Sequence, residues 1–276
     1  MIPWKLATRH GEAKDLVFVL LTSAAVLNTA VLPLTRRSEV PRWSATAWGV
    51  SLALAVLTLL GNEASAAAIA RISGPLLSVL QRVEVVIVGL LAWLVLAERP
   101  SLGFWAGAAL ASLGVVLTQG GGAATAHASG VAAAVIAASA FAGMAVLTRR
   151  FILAIEPIGV NALRLWLSLL CWMVLHGEIP AVSSYSLELV LYGALAALFG
   201  PFLGRLLFMF ALRHVEARIA ALCVLLAPIA TLALSWVILG DVPTATEMLG
   251  GGVILAGVAI PVVESGRRRS AARAAS

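Results

Sequence analysis

Charge is what this sequence has least of. Only 12% of its 276 residues are charged, while 61% are hydrophobic and the mean hydropathy is +1.02; soluble domains carry about 25% charged residues. Water is therefore not its main solvent, and no stretch is left over for a separate soluble domain. Cysteine and histidine are scarce too, at two and four residues. Cys171 and Cys223 sit in apolar runs, with no Cys-x-x-Cys pair and no histidine at a ligand spacing, which reads as packing rather than metal or redox chemistry. His10, His127, His176 and His214 fall at or beyond the ends of apolar runs, so no two share a helix face as a helical zinc site requires. No metal and no cofactor are expected. The chain also lacks a Gly-x-x-x-x-Gly-Lys-Ser/Thr loop, which argues against direct use of ATP. Its start, Met1-Ile2-Pro3-Trp4-Lys5, lacks the order of regions in a cleavable leader, so the first apolar run is expected to stay.

What is present is one apolar run after another. Crossing a hydrocarbon core takes about 20 residues, and runs bounded by turn or charge signals predict helices at 15 to 34, 44 to 69, 76 to 97, 101 to 118, 129 to 147, 157 to 176, 187 to 212, 219 to 239 and 245 to 263, nine in all. Continuous apolarity without strand alternation excludes an outer-membrane barrel, so the fold class is an all-α polytopic membrane protein. The formal charge of +6 comes from short basic clusters between these runs. With no contiguous basic patch, nucleic acid is not an expected partner; the lipid bilayer is.

The basic residues set an orientation. If the loop after the first predicted helix is cytoplasmic, that side holds twelve of the 19 Lys and Arg residues, namely Arg36, Arg37, Arg42, Arg99, Arg149, Arg150, Arg213, Arg218, Arg267, Arg268, Arg269 and Arg273. The opposite loops hold Arg71 alone. The positive-inside rule then predicts a cytoplasmic C-terminus, and the inner (cytoplasmic) membrane is the expected location. The same parity puts the basic tail with Lys5, Arg9 and Lys14 outside, against the rule.

An internal repeat accounts for that conflict. At an offset of 143 residues, the distance from Trp93 to Trp236, Leu96 meets Leu239, Glu98 meets Asp241, Pro100 meets Pro243, Gly107 meets Gly250 and Gly114 meets Gly257, without a gap. The offset also carries 157 to 176 onto 14 to 33, and 187 to 212 onto 44 to 69. A repeat of five helices must invert its second copy, the construction used for alternating access. The predicted helix at 129 to 147 maps to positions before Met1, so the first helix of the first repeat is expected to be missing. The expected units are residues 1–120, an incomplete first repeat of four helices, residues 121–265, a second repeat of five, and a basic cytoplasmic tail, 266–276.

Across both repeats the chain resembles the EamA-type exporters of the drug/metabolite transporter superfamily. The resemblance rests on Leu96-Ala97-Glu98-Arg99-Pro100 and Leu239-Gly240-Asp241-Val242-Pro243, each followed by two glycines seven apart, and on Ala211-Leu212-Arg213-His214-Val215 leading to Ala227-Pro228. The first repeat departs from the pattern, with Glu84-Val85 where the second has Ala227-Pro228, so a proline break is expected only in the second. The resemblance implies ten-helix carriers that export amino acids, other metabolites or drugs, often with proton coupling. Substrate identity does not carry over, since one fold serves many specificities.

Candidate functional residues are the charges at depth, each of which costs at least about 2.5–3.5 kcal/mol at a helix centre. Glu63 and Arg82 are each predicted roughly 10 Å below the outer surface, where they can pair, and Glu84 roughly 13 Å deep, sharing a face with Gln81. One reading makes Glu84 and Gln81 line a midplane cavity that takes up a proton or a cationic group; the other puts Glu63, Arg82 and Glu84 in a static ion network. Arg164 and Arg205 lie about seven residues inside helix ends, from which a guanidinium can snorkel to the interface; alternatively Arg164, one turn after Asn161, contacts an anionic group. Gly107, Gly114, Gly250 and Gly257 are expected to clear helix faces for close packing. Secondary transport of a small molecule, with protons as a candidate coupling partner, is the favoured function. A nucleotide-sugar or phosphorylated-metabolite carrier is the alternative within transporters, a membrane scaffold or assembly factor the alternative outside them, and the sequence leaves open whether the chain forms a homodimer.

Overall fold

The computed structural model describes residues 11–34, 43–72, 74–118, 127–177, 180, 185–227, 229–230, 233 and 244–274. Trp236, Asp241 and Pro243, Pro228, and the basic residues Lys5, Arg9, Arg36, Arg37 and Arg42 lie outside the described residues, as does Gly240. The described chain is helical throughout: α1 (Ala13–Val31), α2 (Ala45–Ile69), α3 (Gly74–Leu80), α4 (Val83–Leu96), α5 (Leu102–Thr118), α6 (Ala128–Phe151), α7 (Pro157–His176), α8 (Leu187–Ala197), α9 (Arg205–Ala211), α10 (Ala217–Val224) and α11 (Ala245–Ala274). Five stretches are long and apolar enough to cross a bilayer, at Lys14–Val31, Ala45–Ile69, Ala128–Phe151, Pro157–His176 and Leu187–Ala211. Large apolar side chains such as Leu94, Leu102, Val174 and Phe199 face outward, the distribution expected where the surrounding medium is lipid.

Three sequence expectations change at helix boundaries. The helix predicted over 76 to 97 is two helices, because the backbone at Gln81 and Arg82 tightens into successive three-residue turns, with Arg82 N donating to Val79 O (3.0 Å) and Glu84 N to Gln81 O (3.1 Å). A break is thus present in the first repeat without a proline. The helix predicted over 187 to 212 widens into a π-type turn over Leu198–Gly204, centred on Pro201, which has no N–H to give an α-helical ladder. The last helix runs through the expected tail to Ala274.

The repeats meet as an inverted pair should. α1 and its counterpart α7 pack on each other, as do α5 and its counterpart α11. They run in opposite directions: α1 starts beside Tyr185, whose hydroxyl donates to Asp15 Oδ1 at 3.2 Å, while α7 starts beside Arg213, whose Nη2 donates to Ile155 O at 3.2 Å. In the α5–α11 seam, glycines from symmetry-related positions face each other. A Cβ at Gly257 would fall 2.5 Å from Ala111 N and 2.7 Å from Gly107 O, and one at Gly114 would fall 2.7 Å from Gly250 O. No side chain fits between those backbones.

A second set of cross-repeat contacts closes the end of the bundle that carries Arg149, Arg150, Arg213 and Arg218. α4 ends with Ala97 in the left-handed conformation (φ 56°), and Glu98 N closes the turn on Ala92 O at 3.1 Å. That turn presents Glu98 to Arg149 Nε at 3.4 Å. Arg149 also donates to Leu212 O, Arg150 to Val95 O at 2.9 Å, and Arg218 to Arg99 O at 2.7 Å while pairing with Glu216. Arginines of the second repeat thereby clamp the end of α4 in the first. Burial pushes the Glu98 carboxyl above the usual carboxylate range, neighbouring Glu216 adds to the effect, and Arg149 opposes it.

These contacts generate three stability predictions for the detergent-purified protein. Gly107→Leu should lower stability by about 1–3 kcal/mol through overpacking against the α11 backbone, whereas Gly252→Ala, with nothing within 4 Å of the added Cβ, should be harmless; equal melting temperatures for the two would contradict the seam. Ala97→Gly should raise stability by about 1 kcal/mol, since only glycine adopts that backbone without a Cβ clash; a lower melting temperature would refute this. Glu98 in the unfolded chain keeps its ordinary, lower pKa, so the stability it contributes is complete below that value and is lost as pH rises through the raised folded value. The melting temperature of the parent should therefore fall relative to Glu98→Gln across that rise; parallel curves would show that no desolvation cost sits there.

Candidate functional site

The polar centre of the bundle is built on α7. Its start is fixed by Pro157 in the first turn and by Glu156, whose carboxylate accepts from Ile158 N (3.1 Å) and Gly159 N (2.6 Å), the arrangement that satisfies free N–H groups at a helix start. From there Asn161 and Arg164, three residues apart, share one face. Arg164 is 2% exposed. Its Nη1 donates to Thr58 Oγ1 and its Nη2 to Asn161 Oδ1, both at 2.7 Å, while Nε has no partner. Asn161 in turn donates to Asn28 Oδ1 at 2.7 Å and to Pro201 O at 3.2 Å. Snorkelling to the interface is thereby overturned for Arg164: the guanidinium points into the bundle because α1, α2 and the π-type turn supply it and Asn161 with oxygens there.

Arg205 opens α9 directly after that turn. Its Nη2 donates to Thr148 Oγ1 (3.1 Å) and Met144 O (3.3 Å) on α6, and its Nε is buried without a partner. It too turns inward, where the expectation allowed an interfacial position. Gln81, Arg82 and Glu84 lie at the α3–α4 break, with Glu84 in the first turn of α4, where the exposed N–H groups favour a negative charge. Glu84 is within electrostatic reach of Arg82 and of Arg205, and Arg205 within reach of Arg164. The structure therefore joins Asn161 and Arg164 to Asn28 and Thr58 of the other repeat by hydrogen bonds, and sets Arg205, Glu84 and Arg82 around that centre at charge–charge range.

Glu63 is not part of it. Its Oε1 lies 3.4 Å from Nε2 of His176, whose ring stacks at 4.4 Å on Trp172. The expected pairing with Arg82 is replaced by this imidazole at the far end of α7, because equal depth on neighbouring helices does not fix which faces meet. Sequence reasoning passed over Asn28, Thr58, Thr148 and His176. A signal existed for Thr58, which lies one turn before Asn62, the position aligned with Arg205; nothing comparable marked Asn28.

The α3–α4 break has a counterpart in the second repeat. α10 ends at Val224, and Leu225 N and Leu226 N close three-residue turns on Leu222 O (2.9 Å) and Cys223 O (3.1 Å). At the 143-residue offset, Gln81 and Arg82 correspond to Val224 and Leu225, so both repeats interrupt the same helix within one residue. Interrupted helices at membrane depth occur where backbone is buried in protein or lines a cavity.

Comparison with known proteins agrees with this architecture. No curated protein matches the sequence. Among solved structures, 28 chains are similar; one, titled only "Crystal structure of protein", superimposes with a TM-score of 0.76 over 96% of this chain and 94% of that one at 18% identity, a likeness of fold alone. The sequence profile described as the EamA-like transporter family matches residues 4–119 and again residues 128–263. With each repeat matched in turn, the chain belongs to the EamA-like transporter family of membrane transporters.

Proposed function

We propose that the chain is a secondary transporter that exports small metabolites, amino acids or drugs across the inner membrane by alternating access, with its C-terminus cytoplasmic and with protons as the coupling ion. The observation that carries this reading is the polar centre: buried charged and polar side chains from both repeats meet there, and each repeat breaks the corresponding helix. A static core has little use for such groups, each costing at least about 2.5–3.5 kcal/mol at a helix centre. A rocking pair of repeats does, because contacts between halves can exchange as one side opens and the other closes. The clamp of Arg149, Arg150 and Arg218 on the end of α4 is then the cytoplasmic gate in its closed position. Glu84 is the proton-exchanging group in this scheme, within charge–charge range of Arg82 and Arg205.

The test is flux in proteoliposomes under an imposed pH gradient, using a panel of labelled amino acids and cationic drugs. Gradient-dependent export is expected from the parent. Glu84→Gln should lose the dependence on the gradient while keeping substrate exchange; unimpaired pH-driven export by that variant at normal expression would remove Glu84 from the coupling role.

A further inference from the structure

Arg164 is the charge that the central cluster leaves unmatched. The ion pairs formed among the described residues are Lys14–Glu12, Arg149–Glu98, His176–Glu63 and Arg218–Glu216, so none of the carboxylates of the described residues lies against Arg164. The charged group that does act on it is another cation, Arg205. The acid acting on Arg205 is Glu84, which is shared with Arg82 and so does not neutralise Arg164 as well.

The guanidinium is nonetheless arranged for an anion. Neutral oxygens, Thr58 Oγ1 and Asn161 Oδ1, sit at 2.7 Å from Nη1 and Nη2, the short distance of charge-assisted bonds. They come from opposite repeats, Thr58 from α2 and Asn161 from α7. Nε, fully buried, has no acceptor. A carboxylate bridging Nε and Nη2, the two nitrogens of one guanidinium edge, would supply the missing acceptor and the missing negative charge together, sharing Nη2, which carries two N–H groups, with Asn161 Oδ1. Asn28 and Pro201 O hold the Asn161 amide in place from its other side, so the subsite is braced before a ligand arrives.

We infer that Arg164, with Asn161 and Thr58, is a subsite for one carboxylate group of the transported substrate, uncovered when the repeats separate and the Arg164–Thr58 bond between them breaks. This rests on the transport reading and narrows it to substrates bearing a carboxylate.

The experiment is thermal unfolding of the purified full chain with a series of monocarboxylates from acetate to phenylacetate, each paired with its uncharged amide at constant ionic strength. At least one acid should raise the melting temperature where its amide does not. Arg164→Lys, which keeps the charge and loses the fork, should weaken that response by about tenfold or more, and Thr58→Val, which removes the bond that ties Arg164 to the other repeat, should enlarge it. Arg71→Gln, at an exposed helix end where Arg71 Nη1 donates to the Ala67 carbonyl, should leave it unchanged. If Arg164→Lys does not purify folded, the acid and amide comparison on the parent decides. Equal effects of acids and amides throughout the series, a response unchanged in Arg164→Lys, or a dianion such as succinate outperforming every monoanion would each overturn the subsite. Flux separates the two readings: carboxylate-selective stabilisation without flux of any acid overturns transport and leaves the subsite, whereas flux of amides with no preference for acids keeps transport and overturns the subsite.

Discussion

A guanidinium inside a bundle surrounded by lipid has to be solvated largely by the protein itself, since hydrocarbon offers it no hydrogen bonds. Arg164 sets that constraint here. Satisfying two of its nitrogens takes a hydroxyl from α2 and an amide from its own helix, and holding that amide takes Asn28 from α1 and the carbonyl of Pro201. Thr58 can serve only because its hydroxyl passes its own proton to Leu54 O at 2.6 Å. Four segments are thus committed to one side chain, and their relative positions follow. The fixed start of α7 at Glu156 and Pro157 sets the height, and the π-type turn at Leu198–Gly204 brings the Pro201 carbonyl to the Asn161 amide. π-type turns of this kind recur at functional sites.

Around that centre the two repeats make contacts of opposite character. The α5–α11 seam is backbone against backbone, with Gly107 facing Gly257 and Gly114 facing Gly250. Dispersion between closely approached backbones holds such a seam in lipid, and it has no side-chain rotamer to adjust, so it resists opening. Between α2 and α7, by contrast, the links are single hydrogen bonds from Ser51, Ser168 and Arg164 to oxygens across the interface. Each can be exchanged for water or a ligand at a small net cost. Alternating access needs both kinds of contact, one to persist as an axis and the other to open.

The sequence carried the coarse layers well because they depend on composition and period. Apolar length located the five long apolar spans, and the 143-residue offset located the repeat and paired Gly107 with Gly250 and Gly114 with Gly257. The finer layers were hidden for identifiable reasons. The break at Gln81 and Arg82 has no proline, so no local residue announced it; its symmetry with Leu225 and Leu226 emerges only when both backbones are seen. Depth counted along a helix put Glu63 level with Arg82, but depth carries no azimuth, and the face of α2 that bears Glu63 meets His176 instead. The alternatives for Arg164 turned on the same missing angle. Asn161, one turn earlier on the same face, was the residue that separated them, since a snorkelling arginine needs no buried amide beside it.

Symmetry in the backbone is paired with asymmetry in the charge. Both repeats break the corresponding helix, but the first places Gln81, Arg82 and Glu84 at its break where the second places Val224, Leu225 and Ala227. The second repeat instead contributes Arg164 and Arg205 from its other helices. Glu84 and Arg205 therefore attract across the boundary between repeats, and in a medium of low dielectric that attraction is far stronger than in water. A movement that widens the boundary weakens it unless another charge arrives to compensate. A proton on Glu84 releases its hold on Arg205, and an anion entering between the repeats gives Arg164 and Arg205 a substitute partner. In the proposed transport scheme either event lowers the cost of separating the halves, so the charges that hold the centre together are also those through which a ligand and a proton would act on its opening.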